Sequence, residues 1–319
     1  MAVTTVDKSR TPLARARDAV WNPTTASLRL LALGGVVANA GIIFTGGAVR
    51  LSASGLGCPT WPKCTGDSLI PTAHPGHSPL NMAIEFGNRM LTFAVLAVAI
   101  AVFVAARRLR PQRPELVVLA ALQPVGVLLQ AGLGGVTVLT KLHPATVSAH
   151  YLLSSGMIFV AFLLWVRVGE GDGPAHRIVT PAIRWTTTAL VWATIAVLAA
   201  GTVVTGSGPH AGDAQAQRFP FEIETVARIH GLTAWLTVAL ALALAFLMHR
   251  TQTPTRPRQA VHILLAALVA QGAIGYLQYY LEVPAVLVGI HLLGSALLWI
   301  AVLNVLYTQR IRPDAPQKA

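Results

Sequence analysis

The stretches QAGLGGVTV (residues 130–138) and SAHYLLSS (148–155) recur later in the chain as QGAIGYLQY (271–279) and GIHLLGSA (289–296). In each copy a glutamine precedes a histidine by the same interval, Gln130 before His150 and Gln271 before His291. Both histidines lie near the start of an apolar segment. The chain is therefore predicted to consist of two related halves that each place a histidine at one depth.

The composition is that of a membrane protein. Of its 319 residues, 54% are hydrophobic and 11% are charged, and the mean hydropathy is +0.60, whereas a soluble protein carries about 25% charged residues. Eight apolar runs are long enough to cross about 30 Å of hydrocarbon, and they lack the alternation of membrane β-strands. We predict an all-α integral membrane protein with eight transmembrane helices in two pseudo-symmetric four-helix bundles. The runs lie near 27–49, 82–106, 115–139, 145–168, 184–206, 226–249, 259–280 and 284–308.

The polar segments between these runs divide the chain into five parts. Residues 1–26 are predicted to be a cytoplasmic arm, because they are polar and basic and contain no short apolar core followed by a cleavage site. Residues 27–168 form the first bundle and residues 184–308 form the second. The polar segment 169–183 is predicted to be a cytoplasmic linker, and residues 309–319 a cytoplasmic tail.

The positive charge is distributed by side of the membrane. The net charge is +12, which by itself is compatible with nucleic-acid binding. However, 18 of the 24 Lys and Arg residues lie on one side of the predicted membrane. They fall in the segment up to residue 29, in the loops 107–113, 167–184 and 250–258, and in the C-terminal tail. This bias is typical of cytoplasmic segments, so both termini are predicted to be cytoplasmic and nucleic acid is not an expected partner. The six outward residues are Arg50, Lys63, Arg89, Lys141, Arg218 and Arg228.

The two cysteines of the chain, Cys58 and Cys64, both lie in the first outward loop. That compartment is oxidising, so we expect a disulfide. Two other states remain open at this point, a pair of reduced thiols and a dithiol that cycles with a partner. The spacing does not provide the four ligands of a structural zinc site.

Three of the ten histidines are candidate iron ligands. His150, His230 and His291 each lie within about two turns of the outward end of a predicted span. Imidazole at membrane depth is costly, and ligation of a heme iron accounts for it. His230 and His291 fall in spans of the same orientation in one half, so they can hold one heme from opposite sides. A packing role is the alternative. The other histidines are expected to be solvated or interfacial: His74, His77, His143, His176, His210, His249 and His262.

The first half has only one such histidine. When IEFGNRMLT is aligned with ARIHGLTAW, Asn88 takes the position of His230, and asparagine is a poor iron ligand. Glu85 shares a helix face with Asn88. A carboxylate in a membrane span is a functional candidate, with an interfacial position as the alternative. Arg50, Arg89 and Arg228 at the outward ends are candidates for binding anionic heme propionates, or else extend toward water.

These motifs resemble the heme A synthase family. The first outward loop reads GGAVRLSASGLGCPTWPKCTG and is followed by IEFGNRMLT. The glycines, the Arg, the Cys-Pro-x-Trp-Pro-x-Cys pattern and the following Glu are similar to the pattern of that family. The eight spans in two halves and the histidines of spans four, six and eight agree with it as well.

The resemblance implies an oxidoreductase of the bacterial cell membrane that oxidises the C8 methyl group of heme O to the formyl group of heme A. Oxygen from water is expected to be incorporated. It implies a heme b cofactor between His230 and His291, a substrate heme bound in the first half with His150 as a ligand, and a functional role for Glu85. We expect this role to be catalytic, with the Glu85 carboxylate near the reacting edge, where it accepts a proton or positions water as the methyl carbon is oxidised. It also implies a Cys58–Cys64 pair. Asn88 departs from the histidine that many members have there.

Expected partners are membrane lipid, a heme O synthase and the assembly machinery of cytochrome oxidase, and a homo-oligomer is possible in this class. Three other functions remain open: a membrane diheme electron-transfer protein, a heme transporter and an oxidase assembly factor. A diheme protein needs a second histidine pair, which the first half lacks. A transporter built from repeats needs paired charges near the middle of the membrane, and these are sparse.

Overall fold

The computed structural model describes residues 21–72 and 78–314. These residues contain eight long helices: α1 (Thr25–Leu51), α2 (Pro79–Arg108), α3 (Pro114–Leu139), α4 (Pro144–Val168), α5 (Pro181–Ser207), α6 (Ile223–Arg250), α7 (Thr255–Tyr280) and α8 (Ala285–Tyr307). All eight are long and apolar enough to span a membrane. The predicted all-α, eight-span architecture is therefore confirmed, and the chain is a multi-pass membrane protein. The predicted interfacial side chains of His74 and His77, and most of the predicted N-terminal arm, lie outside the described residues.

The helix starts follow from local sequence. Proline occupies one of the first two positions of α2, α3, α4 and α5, where its missing N–H costs no intrahelical bond. Polar side chains complete several of these N-termini. Thr24 and Ser27 cap α1 reciprocally, and Ser78 accepts a hydrogen bond from the backbone N–H of Leu80 at the start of α2.

The helices of each half contact one another in a ring. In the first half α1 lies against α2, α2 against α3, α3 against α4, and α4 against α1; in the second half α5 to α8 follow the same order. The two halves meet where α8 contacts α1 and α4, and where α4 contacts α5. These neighbours agree with two four-helix bundles. The exact pseudo-symmetry of the halves and their boundaries stay predictions.

Polar bonds join the two halves inside the apolar interface. The Tyr151 hydroxyl and the Ser295 hydroxyl are 2.7 Å apart, and the Trp299 indole N–H donates to the Ser155 carbonyl oxygen at 2.9 Å. Both bonds run between α4 and α8. The surrounding core draws buried apolar residues from α1, α4 and the second-half helices. These two bonds help to fix how α4 and α8 meet.

The linker and the tail, which were predicted as separate cytoplasmic segments, contact each other. Strands β1 (His176–Arg177) and β2 (Arg310–Ile311) pair antiparallel. Glu170 accepts hydrogen bonds from Arg167 at 2.6 Å and Arg310 at 3.1 Å. The tail therefore closes against the linker at the end of the molecule where the sequence concentrates its positive charge.

The charge bias predicts that this end faces the cytoplasm. A reporter enzyme fused after Ala319 that is active only in the cytoplasm should be active, whereas a reporter that needs the outer compartment should be silent. The same pair of reporters inserted after Asp213, in the loop at the opposite end, should give the reverse result. An active external reporter after Ala319 would contradict the orientation.

Candidate functional site

The second half brings two of the predicted histidines together. His230 lies on α6 and His291 on α8, and their ring centroids are 6.4 Å apart with an angle of 77° between the rings. An imidazole nitrogen binds a metal at about 2.0–2.1 Å and lies about 1.1 Å from the centre of its own ring. Two imidazoles on opposite sides of one iron therefore have centroids about 6.3 Å apart. The observed separation fits a six-coordinate iron between these two rings.

Hydrogen bonds hold the ring of His230 and the backbone of His291. The His230 Nδ1 lies 3.1 Å from the Val197 carbonyl oxygen, which leaves its Nε2 as the ligand atom. On the other helix the Gln271 side-chain N–H donates to the His291 carbonyl oxygen at 3.0 Å. This bond joins α7 to α8 beside the histidine. Both imidazoles are partly buried.

Glycines make the space beside the rings. A Cβ on Gly201 would lie 3.1 Å from Cε1 of His230, and one on Gly275 would lie 3.6 Å from Cε1 of His291. A larger residue at Gly201 would press on the ring. The glycine there allows α5 to approach α6 closely enough for the bond from His230 to Val197.

The first half repeats these contacts around His150. The Gln130 side-chain N–H donates to the His150 carbonyl oxygen at 3.2 Å and to the Ser154 hydroxyl at 2.7 Å. A Cβ on Gly134 would lie 3.3 Å from Cε1 of His150. Gln130, Gly134 and His150 thus correspond to Gln271, Gly275 and His291. The GLGG stretch at 132–135 leaves room for the His150 side chain beside Gly134.

Asn88 takes the position that the sequence alignment gave it. A Cβ on Gly46 would lie 4.0 Å from the Asn88 Nδ2, as one on Gly201 would lie beside His230. The Thr45 hydroxyl donates to the Asn88 Oδ1 at 2.8 Å. The polar group opposite the His150 helix is thus an amide that is already hydrogen-bonded, so the two halves differ in chemistry although they share their glycines and glutamines.

Glu85 lies near the start of α2 in the first half and is 5% exposed. Its Oε2 accepts a hydrogen bond from the Cys58 backbone N–H at 2.6 Å. Its Oε1 accepts from Arg89 Nη2 at 2.6 Å and from Nε at 3.1 Å. Both carboxylate oxygens are engaged, which favours a positioning role over free proton transfer.

Arg89 extends the contact to the outer loop. Its guanidinium also donates to the carbonyl oxygens of Cys58 at 2.8 Å, Thr60 at 3.0 Å and Lys63 at 3.1 Å. Residues four apart on a helix face each other, so the spacing of Glu85 and Arg89 in the sequence is itself a signal for this pair. The backbone of the outer loop thus supplies most of the acceptors for the Arg89 guanidinium.

The outer loop closes on the first half. Cys58 and Cys64 form the expected disulfide and are both fully buried. Trp61, between them, packs its indole against Gly135, where a Cβ would collide with the ring. Gly135 is the neighbour of Gly134, which faces His150. The loop therefore covers the outward side of the helix that contacts the first-half histidine, a contact that the sequence did not indicate.

The remaining sequence candidates lie apart from the histidines. Arg228 is exposed and lies 3.9 Å from Glu224. Arg50 donates to the Thr205 carbonyl oxygen at 2.5 Å, between the halves. Among the described residues, no group of three His, Cys, Asp or Glu side chains could hold a bare metal ion. A porphyrin requires only axial ligands from the protein, so paired or single histidines suffice for it.

Comparison with known proteins gives a family. Residues 29–303 match the family described as cytochrome oxidase assembly protein. Three curated relatives named heme A synthase are similar to parts of the chain. The one from Shewanella oneidensis is 30% identical over 138 residues, 40% of this chain and 41% of the relative. The one from Symbiobacterium thermophilum is 29% identical over 150 residues, 47% of each chain. The one from Exiguobacterium is 28% identical over 144 residues, 44% of each chain. The chain thus spans less than half the length of these relatives.

The Glu85–Arg89 pair predicts a measurable effect on the outer loop. Replacing Glu85 by Gln removes the charge partner of the part-buried Arg89 and weakens the acceptor of the Cys58 N–H, and a hydrogen bond to a charged group is worth about 1.5–3 kcal/mol. Amide hydrogen exchange at Cys58 should therefore accelerate by at least about tenfold. Glu224→Gln is the matched control, because Glu224 and Arg228 have the same spacing but are exposed, and it should leave exchange in the outer loop unchanged. Equal exchange in the wild-type chain and Glu85→Gln would contradict the positioning role.

Proposed function

We propose, from the premise that the chain belongs to the family of cytochrome oxidase assembly proteins, that it is an oxidoreductase that converts heme O to heme A. In this proposal the C8 methyl group takes one oxygen atom from water and loses four electrons and four protons to become a formyl group, and an external electron acceptor receives the electrons. The names of the three curated relatives support this activity. The observation that carries it is the 6.4 Å separation of His230 and His291, together with a first-half site that has the same frame and only one imidazole.

We assign the two halves different roles. His230 and His291 are proposed to hold a heme b cofactor, which when bound supplies one-electron redox chemistry. The Val197 carbonyl oxygen fixes the His230 ring, and Gln271 holds the backbone at His291. A heme held on both faces is suited to electron transfer, since no position on its iron is open to a substrate.

The first half is proposed to bind the substrate heme O, with His150 as its one imidazole ligand. Asn88 leaves the opposite face without a strong ligand, as a site for chemistry on a substrate requires. Glu85 is proposed to position the outer loop, through Arg89 and the Cys58 N–H, so that Trp61 and the disulfide cover this half. Covering the site excludes bulk water from the reacting edge, apart from the molecule that is consumed.

We further propose that the protein lies in the bacterial cell membrane and receives its substrate from a heme O synthase. Its product would pass to the assembly of cytochrome oxidase. A large apolar ring partitions into the bilayer, so a membrane bundle is suited to take it up from there. Several lipid-exposed apolar side chains, among them Phe93 and Leu128, line the first-half helices.

Co-expression with a heme O synthase, followed by chromatography of extracted hemes, tests the activity. Heme A should appear only when both proteins are present, and heme O and heme b should co-purify with the chain. Glu85→Gln should lower heme A formation by about tenfold or more, as expected for a misplaced active-site cover. Heme b alone, with no heme A, would favour an electron-transfer protein. Heme O carried without conversion would favour a transporter or an assembly factor.

The histidine pair predicts a spectroscopic outcome. His230→Ala and His291→Ala should each abolish the low-spin signal of the bis-imidazole heme, because each removes one axial ligand. His176→Ala is a suitable control, since His176 lies exposed in β1. Electron paramagnetic resonance and the reduced α-band measure the change. A low-spin signal that persists in both variants would show that other residues bind the cofactor.

The single ligand of the first half predicts a second outcome. Asn88→His should add an imidazole opposite His150 and increase the six-coordinate character of the bound heme O, while the second-half heme b spectrum stays unchanged. Resonance Raman spectroscopy of the chain loaded with heme O distinguishes five- from six-coordinate iron. A substrate heme that is already bound by two imidazoles in the wild-type chain would show that the alignment of the halves is wrong.

A further inference from the structure

A cavity with a volume of about 200 Å³ lies at the turn between α6 and α7. This is the end of α6 opposite to His230 and therefore far from the proposed heme sites. Its polar lining comes from His249 near the end of α6 and from Thr255, Arg258, Gln259 and His262 in the first turns of α7. The lining thus combines a guanidinium, two imidazoles, an amide and a hydroxyl, and it contains no carboxylate.

The basic residues at this turn have no acidic partners. Elsewhere at the same end of the molecule, Arg113 pairs with Asp172 at 2.6 Å and Arg167 with Glu170 at 2.6 Å. Within the part of the chain that the structure describes, no carboxylate lies within ion-pair distance of Arg250, Arg256 or Arg258. The positive charge at this turn is therefore not neutralised by ion pairs, whereas that of Arg113 and Arg167 is neutralised by the linker carboxylates.

Arg258 directs this field into the cavity. It lines the cavity, and its Nε is buried without a hydrogen-bond partner. A buried N–H donor on a cation requires an acceptor, and an anion is the best one. Arg258 is also in the first turn of α7, where the free backbone N–H groups carry the positive end of the helix dipole. Pro254 at the N-cap gives α7 no side-chain cap.

Exposed apolar side chains lie one turn away from two residues of the cavity lining. Phe246 lies one turn from His249 and is 58% exposed, and Ile263 lies one turn from Gln259 and is 59% exposed. Both belong to helices that span the membrane. An occupant that combines a phosphate group with acyl chains would place the phosphate beside Arg258 and its chains along these two residues. A free phosphate ion would contact only the polar part of this surface beside Arg258.

We propose that this cavity binds the headgroup of an acidic phospholipid. Basic pockets between transmembrane helices on the cytoplasmic side bind such headgroups in general, through charge and hydrogen bonding together. Here Arg258 donates to a phosphate oxygen, and Gln259 and Thr255 complete the polar lining. The site is independent of the proposed heme chemistry, so failure of one does not decide the other.

Native mass spectrometry of the purified full-length chain tests the proposal, with phosphatidylglycerol, cardiolipin and phosphatidylcholine as probes. The two acidic lipids should bind in preference to phosphatidylcholine. Arg258→Gln should raise the apparent Kd of both acidic lipids by about tenfold, which is the effect of losing one charged hydrogen bond. Arg258→Lys keeps the charge but not the guanidinium and should give a smaller loss. Size-exclusion chromatography verifies that each variant is folded.

Arg256→Gln is the matched control, because Arg256 lies in the same turn and carries the same charge but does not line the cavity. It should change the apparent Kd by less than about twofold. Equal losses for Arg256→Gln and Arg258→Gln would overturn the proposal, since a diffuse surface charge would then account for the binding. The proposal would also be wrong if inorganic phosphate displaced the lipids at equal phosphate concentration, or if phosphatidylcholine bound equally well.

Discussion

The arrangement of this protein depends on the placement of a histidine at equivalent positions of its two halves. A polar ring in hydrocarbon is costly, and each histidine of the repeat is held by the same two devices. A glutamine on the preceding helix donates to the histidine carbonyl oxygen, and a glycine one turn further on leaves space for the ring. The glutamine can reach the carbonyl only if the two helices pack closely. In both halves this bond joins the helix that carries the glutamine to the helix that carries the histidine. Packing of apolar side chains stabilises the rest of the bundle.

The two halves differ in the residue at one pair of equivalent positions that bears on iron ligation. His230 and Asn88 lie beside equivalent glycines, Gly201 and Gly46. In the second half the position completes a pair of rings with the spacing of a shared iron. In the first half the amide is hydrogen-bonded to Thr45 instead. A duplicated frame can therefore offer two coordination environments without any change of fold, because the axial ligand is a single side chain and the frame is the helix packing.

The outer loop adds a second asymmetry. It is tied to α2 through Glu85 and Arg89, whose four-residue spacing gives a buried pair, whereas Glu224 and Arg228 on α6 form an exposed pair with the same spacing. Burial makes the difference, because the loop backbone between Cys58 and Lys63 supplies acceptors for the remaining guanidinium donors. The buried ion pair thus anchors the outer loop to the first half.

The sequence by itself determined the membrane class, the eight spans and the repeat, since hydrophobic length and spaced identities are properties of the chain. It also selected His150, His230, His291, Glu85 and the cysteine pair as candidates. The tertiary structure decided which of them meet: the distance between the two second-half rings, the packing of Trp61 on α3, and the pairing of linker and tail. Such contacts join residues that are far apart in the chain, and their geometry depends on helix packing that no local pattern specifies. The engagement of Glu85 by the Cys58 backbone is of this kind, because a backbone N–H leaves no trace in the residue type that carries it.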